Sequence, residues 1–436
     1  MRLAGRLQAL IDINSDFDFQ SQTPIDRYLR AYFIKRRFIG SKDRFYLKEN
    51  FYNYLRRRLQ CHWWCDLSYN GKRSPRMCIF IYLIISHQIT LEELKHLCDG
   101  SKYAPSQLTK DEIKVLQYCD KNKVGGFDHQ SQPEHIRFNL PEWLYHALSQ
   151  SIDTSEISTN QLLDFLSHKQ ANTDLRLNLL KGSVSDVLKR IKEKSIFFQE
   201  DKDIYSCIRL DKDIPLGQYD FFNEGYVEVQ DKGSQIVSES IGVKPGQRIL
   251  DFCAGAGGKT LALAMHAQNK GKIVACDTSH RRLERAKTRL RRASVSNVQL
   301  ISIANSHDKQ LKKYKNAFDH VLLDVPCTGT GTLRRNPDLK YKLSATYLEE
   351  LVAVQQEILQ SACRFVANEG ILTYVTCSLL KQENESQIKC FLANHENFEP
   401  ITVDNHFFVA ANYGGYVMPL RFKTDGFYFC QLQKKA

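Results

Sequence analysis

Arg248-Ile-Leu-Asp-Phe-Cys-Ala-Gly-Ala-Gly-Gly-Lys-Thr260 is the stretch that decides the fold. A short apolar run ends in an acid, a glycine-rich bend follows, and Leu261-Ala-Leu-Ala264 continues as a helix. Strand, glycine turn and helix in that order bring bare backbone to a ligand at a helix N-terminus. Two phosphate-binding readings fail on single residues. A P-loop ending in Gly258-Lys259-Thr260 requires glycine at position 253, where Cys253 stands. The dinucleotide fingerprint requires its last glycine at position 260 and finds Thr260. Asp277 closes the next apolar run about 20 residues on, where a carboxylate can accept both ribose hydroxyls. The two features together point to an adenosine-type cofactor.

Downstream, the strand candidates are Arg248–Leu250, Lys272–Cys276, Val298–Ile303, His320–Leu323 and Ile371–Thr376, separated by helical stretches. Such alternation implies an α/β domain with a parallel sheet covered on both faces, and ligands bound beyond the carboxyl ends of the strands. The fourth strand ends in Asp324-Val-Pro-Cys327-Thr-Gly-Thr-Gly331, followed by Arg334-Arg-Asn-Pro-Asp-Leu-Lys340. The fifth ends in Thr376-Cys377-Ser378, with Glu383-Asn-Glu385 just beyond. A buried cysteine is ordinarily an inert small hydrophobe, and that suffices for most of the thirteen. Two thiols at a ligand-binding edge, one of them near Asp324, call for a chemical explanation.

Upstream the grammar differs. Residues 1–150 read as a helical, basic extension, residues 151–227 as a small α+β module, and residues 228–436 as the catalytic domain. Leu47, Phe51, Leu55 and Leu59 recur every four residues, with Tyr52 beside them, predicting one amphipathic helix over Asp43–Leu59. Ile25, Leu29 and Phe33 predict another over Pro24–Arg37. Lys and Arg crowd the opposite faces, interleaved with Tyr28, Tyr32, Tyr46 and Tyr54. This is either a solvated face or an RNA surface. In the module, Leu175–Asn178 alternates like a strand, and Gly182-Ser183 opens a helix.

The whole chain has 436 residues and a net charge of +12, which favours a polyanionic partner. Its longest apolar run, Cys78–Ser86, falls short of the roughly 20 residues a membrane helix needs, so no membrane is expected. The N-terminus soon meets Asp12, Asp16 and Asp18 and makes a poor signal peptide. Scattered cysteines in odd number fit reduced thiols and a cytoplasmic protein. Cys61-His-Trp-Trp-Cys65 lacks a second half with ligand spacing, so no metal is expected.

Residues from about 141 to 432 resemble the RsmB/Sun (Nop) family of RNA cytosine-5 methyltransferases. The matching segments are Val229–Ser234, Cys253–Thr260, Asp277, Asp324–Cys327, Arg334-Arg335 with Pro337-Asp338, Thr376–Ser378 with Glu383–Glu385, and Thr424–Phe427. The resemblance implies a class I (Rossmann-like) methyltransferase fold with a seven-stranded sheet. It implies S-adenosylmethionine held by Cys253, Ala254, Gly255, Ala256, Gly257, Gly258, Lys259, Asp277, Asn305 and Asp324. Two departures stand out: Gly255-Ala256 replaces a common Ala-Pro, and Asn305 stands where the family often has Asp.

By resemblance, Cys377 is the nucleophile that adds to carbon 6 of cytosine, and Cys327 takes part in its release. Asp324 binds the base and supplies a proton, a role that requires a partly protonated carboxyl. DNA cytosine-5 methyltransferases instead use the cysteine of a Pro-Cys pair such as Pro326-Cys327; Thr376-Cys377 and the basic extension point to the RNA family. Arg334 and Arg335 are expected at the phosphate backbone. Arg281, Arg285, Arg289 and Arg292 form a one-turn stripe that is either a second RNA contact or a solvated face. The expected partner is RNA, small-subunit rRNA first and tRNA second, and a monomer is the default. Alternatives are a methyltransferase for protein or a small molecule, which would leave the paired cysteines idle, and a catalytically retired ribosome-assembly factor.

Overall fold

A computed structural model describes residues 1–21, 23–69, 73–152, 157–403 and 405–436. They divide into two compact units, Met1–Lys169 with Asn336–Ser344, and Gln170–Arg335 with Ala345–Ala436.

The first unit is helical. Helices α1 (Leu3–Asp16), α2 (Ile25–Lys35), α3 (Ser41–Leu55), α4 (Arg58–Tyr69) and α5 (Pro75–Ile85) share one core. Every residue of α5 from Met77 to Ile85 is buried, so the longest apolar run of the sequence is a central helix. Ser74 starts it by accepting the Met77 N–H, with Pro75 in the first turn.

The single helix expected over Asp43–Leu59 is in fact two. Buried Asn139 explains the break: its Oδ1 accepts the Leu59 N–H (2.7 Å) and its Nδ2 donates to the Leu55 carbonyl (3.0 Å). One amide thus satisfies the end of α3 and the start of α4. The Tyr341 hydroxyl donates to the same Leu55 carbonyl at 2.7 Å. Cys61 and Cys65 are buried in this core. Among the described residues no group of three or more His, Cys, Asp or Glu could hold a metal ion, and no helix is long and apolar enough to cross a membrane.

The second unit carries two sheets. The smaller is antiparallel in the order β2-β3-β1-β4, from β1 (Asp174–Leu177), β2 (Phe198–Glu200), β3 (Cys207–Leu210) and β4 (Val227–Val229). Its helix Val184–Lys192 opens with a Ser183–Asp186 capping box.

The larger sheet contains β5 (Arg248–Asp251), β6 (Lys272–Asp277), β7 (Val298–Ser302), β8 (Phe318–Asp324) and β9 (Val366–Thr376), parallel in the order β7-β6-β5-β8-β9. It goes on antiparallel through β13 (Phe427–Lys434) and β12 (Gly415–Val417). These are the seven strands of the class I fold. Two short pieces, β10 (Phe398–Ile401) on β13 and β11 (Val409–Ala410) on β12, raise the count to nine. All five parallel strands fall on the sequence candidates, with β9 starting earlier, at Val366. The strand order reverses between β5 and β8, and at such a switch point the carboxyl ends diverge and leave room for a ligand.

Candidate active site

The cofactor loop is built from its two ends. Asp251, buried at the end of β5, accepts the Thr260 hydroxyl at 2.6 Å and draws the loop into a closed bend. Burial pushes the Asp251 carboxyl up to about 7. At Gly257 φ is +80°, and a Cβ would stand 3.0 Å from that of Ala286, so glycine is required on both counts. Beside Gly258 a Cβ would meet nothing within 4 Å, so open space lies over this helix N-terminus. Asp277 at the end of β6 accepts the Gly255 N–H (2.9 Å) and the Ser279 N–H (2.7 Å), with Arg282 at 3.5 Å. A carboxylate so held keeps lone pairs for further donors. Bare backbone, open space and an oriented carboxylate fit the adenosyl cofactor the sequence implied. Cys253 is half-buried in this loop, its thiol pushed well up by burial and by Asp251, Asp324 and Asp277. Asn305 lies past β7 on an exposed turn, accepting the His307 N–H at 2.9 Å.

Two arginines hold the loop from behind. Buried Arg176 of β1 donates to the Gly258 carbonyl (3.2 Å) and to Gln230. Arg289 donates to the Ala256 carbonyl (2.6 Å) and pairs with Glu228, which also holds Arg292. The carbonyls on either side of Gly257 are thereby fixed. This corrects the reading of a basic stripe: Arg281 and Arg285 are exposed, but Arg289 and Arg292 are committed to a buried acid. Arg176 escaped the sequence reading because it occupied only the polar position of an alternating strand. A guanidinium between two leucines was the available signal.

The two thiols meet. Cys327 Sγ and Cys377 Sγ are 3.4 Å apart at the ends of the adjacent strands β8 and β9. The dipeptide Glu383-Asn384 organises both turns. Buried Glu383 accepts the Thr328 N–H (2.8 Å), the Thr328 hydroxyl and Gln355 Nε2 (2.9 Å). Asn384 accepts the Thr376 hydroxyl (2.6 Å) and donates to the Ser378 carbonyl (2.9 Å). The hydrogen bond with Cys377, then burial and the neighbouring Glu383 carboxylate, push the Cys327 thiol well above its ordinary value. It therefore stays protonated.

Asp324 lies beside them with its carboxylate 2.7 Å from Lys259 Nζ.

Arg334 and Arg335 also depart from expectation. Arg334 is buried and donates to the Thr424 (3.1 Å) and Gln170 (2.7 Å) carbonyls. Arg335 pairs with Asp425 (2.9 Å) and Asp231 (3.0 Å). Both guanidiniums are engaged by groups within the protein. They fix the Thr424–Gly426 segment, and Gly331 packs so closely there that a Cβ would stand 2.2 Å from the Gly426 carbonyl oxygen. Gly331 in turn donates to the Cys377 carbonyl at 2.9 Å, so this buried ion cluster braces the backbone of the thiol pair.

Comparison with known proteins places the chain among methyltransferases. Residues 240–433 match the family described as 16S rRNA methyltransferase RsmB/F. Ribosomal RNA small subunit methyltransferase B of Pasteurella multocida is 32% identical over 299 residues, 67% of this chain and 65% of that protein. The Xanthomonas campestris protein of the same name is 32% identical over 262 residues, 60% of each chain. That of Yersinia pseudotuberculosis is 26% identical over 408 residues, 91% of this chain and 92% of the other. The chain thus spans less than two thirds of the first two relatives and nearly all of the third. Among solved structures, PH0851 shares the fold over 100% of this chain and 99% of that one, with TM-score 0.79 and 23% identity. A methyltransferase homologue from Pyrococcus horikoshii shares it over 68% and 100%, with TM-score 0.56 and 24% identity.

Proposed function

We propose that this chain, a member of the RsmB/F methyltransferase family, methylates carbon 5 of a cytosine in small-subunit ribosomal RNA. The observation that carries the reading is the 3.4 Å contact between Cys327 and Cys377, set beside Asp324 and the glycine loop. Carbon 5 of cytosine is a poor nucleophile until a thiolate adds at carbon 6 and makes it an enamine carbon. Cys377 supplies that thiolate, because Cys327 beside it holds its proton and donates it as a hydrogen bond to the sulfur. Asp324 accepts from the exocyclic amino group of the base. The Asp324–Lys259 pair delivers the proton that the ring nitrogen gains as the carbon–sulfur bond forms.

S-adenosylmethionine supplies the methyl group, and Cys253–Lys259 with Asp277 are the residues that hold it, Asn305 at their edge. Once carbon 5 is methylated it gives up its proton to a base. The electron pair released restores the ring and expels Cys377 as a thiolate, which the Cys327 S–H stabilises, while the ring nitrogen returns its proton to the Asp324–Lys259 pair.

The test is covalent capture on small-subunit rRNA with labelled cofactor. Cys377→Ala loses both methyl transfer and the protein–RNA adduct, whereas Cys327→Ala accumulates the adduct. Loss of the adduct in Cys327→Ala with its retention in Cys377→Ala would reverse the two roles. Bisulfite sequencing of total RNA with and without the gene names the substrate by the one cytosine that loses protection.

A further inference from the structure

The helical unit turns a different set of aromatic rings outward from the one its sequence suggests. Tyr32 and Tyr54 are buried, and Tyr28 and Tyr46 are half-buried against the core. At the corner between α2 and α3, Phe38 is 75% exposed, Phe45 63% and Ile34 59%. Single exposed apolar residues are ordinary, but three within twelve positions are not.

The corner is rigid. Ile39 is buried, its N–H donates to the Arg36 carbonyl (3.0 Å), and its own carbonyl accepts Arg44 Nε (2.7 Å). The Arg36 guanidinium lies 3.8 Å over the Tyr32 ring, closing the turn from the other side. Phe38, between Arg37 and the anchored Ile39, is therefore presented rather than left loose.

Around these rings Arg30, Lys35, Arg37 and Lys42 are all exposed. Of the nearby acids, Asp26 pairs with Lys48 and Asp43 with Arg6, which leaves exposed Glu49 against four exposed cations. A second copy of this chain would bring the same excess of cations against them, a net repulsion. A polyanion with flat apolar faces satisfies rings and cations together. Duplex RNA keeps its base faces stacked inside, so only unpaired nucleotides offer them.

We propose that the α2–α3 corner binds unpaired nucleotides of the substrate RNA, whose bases stack on Phe38 and Phe45 while Arg30, Lys35, Arg37 and Lys42 meet the phosphates. The proposal rests on RNA being the substrate and adds where and in what form the helical unit holds it.

The test is fluorescence anisotropy of the full chain with a labelled single-stranded RNA 12-mer and with the corresponding duplex, over a salt series. Phe38→Ala/Phe45→Ala is expected to weaken single-strand binding about 100-fold, about 10-fold for each ring, with the salt slope unchanged. Phe38→Trp/Phe45→Trp is expected to restore it. Arg37→Gln/Lys42→Gln is expected to lower the salt slope by about 1.4.

Unchanged single-strand affinity in the double alanine variant overturns the proposal, as does equal wild-type affinity for strand and duplex. A change in the sedimentation of the RNA-free chain upon the same substitution also overturns it, assigning the corner to self-association. Methyl transfer by the wild type on rRNA is read separately. Its absence alongside normal ring-dependent binding would count against the proposed reaction and leave the binding surface standing.

Discussion

Two groups of cations, one in each unit, are used in opposite ways. In the catalytic unit Arg176, Arg289, Arg292, Arg334 and Arg335 turn onto backbone carbonyls or carboxylates. In the helical unit Arg30, Lys35, Arg37 and Lys42 face water. Arg176 apart, sequence presents both groups as basic runs, and both invite the same reading as RNA contacts. What separates them is whether a carboxylate or an orphan carbonyl is within reach, and those partners lie up to 164 positions away, as Gln170 does from Arg334. A positive residue is a candidate for RNA only after its own acid has been looked for.

Substitutions can break or sharpen this contrast. The largest effect belongs to the chemistry that the inward cations serve. Cys377→Ala should lower methyl transfer by roughly 10⁴-fold or more, read by single-turnover labelling. Arg335→Met should leave Asp231 and Asp425 confronting each other and destabilise the fold by about 3 kcal/mol, read by urea denaturation. Retained stability there would mean that the cluster does not brace the site.

Arg289→Met removes one carbonyl anchor of the cofactor loop. It should raise KM for S-adenosylmethionine by about 10-fold, as the loss of one charge-assisted hydrogen bond does, with kcat changed much less. By contrast Lys42→Met in the helical unit should change stability by no more than about 0.5 kcal/mol. A loss as large as that of Arg335→Met would erase the distinction between the two groups.

Acidity provides a milder probe. Burial, followed by the charge of Arg58, lowers His62 to about 3. His168 is lowered to about 4 by burial, although Asp164 opposes the shift. Both are neutral in the folded chain and take up protons near the ordinary value of about 6.5 once unfolded. Their contribution is therefore present above that value and lost as pH falls towards 4. The urea midpoint should decline over that window, and His168→Gln should decline less steeply.

What sequence made legible was what is local. The five parallel strands, the glycine bend and the two thiol-bearing strand ends are each written within about a dozen residues, and the structure brings them to one edge. The break between α3 and α4 was hidden because Leu47, Phe51, Leu55 and Leu59 keep helical phase across it, and the residue that interrupts them, Asn139, lies eighty positions on. Arg176 was hidden for a related reason: strand alternation says which face a side chain takes, not what covers that face. Phe38 and Phe45 passed unremarked because a phenylalanine in a helical stretch is ordinarily core, and only the fold reveals that these two are not.

The short segment Asn336–Ser344 belongs with the helical unit although it is made after the whole of Gln170–Arg335. Tyr341 packs against the helical core and donates to the end of α3. On a translating ribosome the first unit therefore emerges with its Tyr341 slot empty. It stays so while the next stretch is synthesised, on the order of ten to thirty seconds at cellular elongation rates. The part of the protein born first is completed late, and until then the patch of core that Tyr341 covers faces solvent.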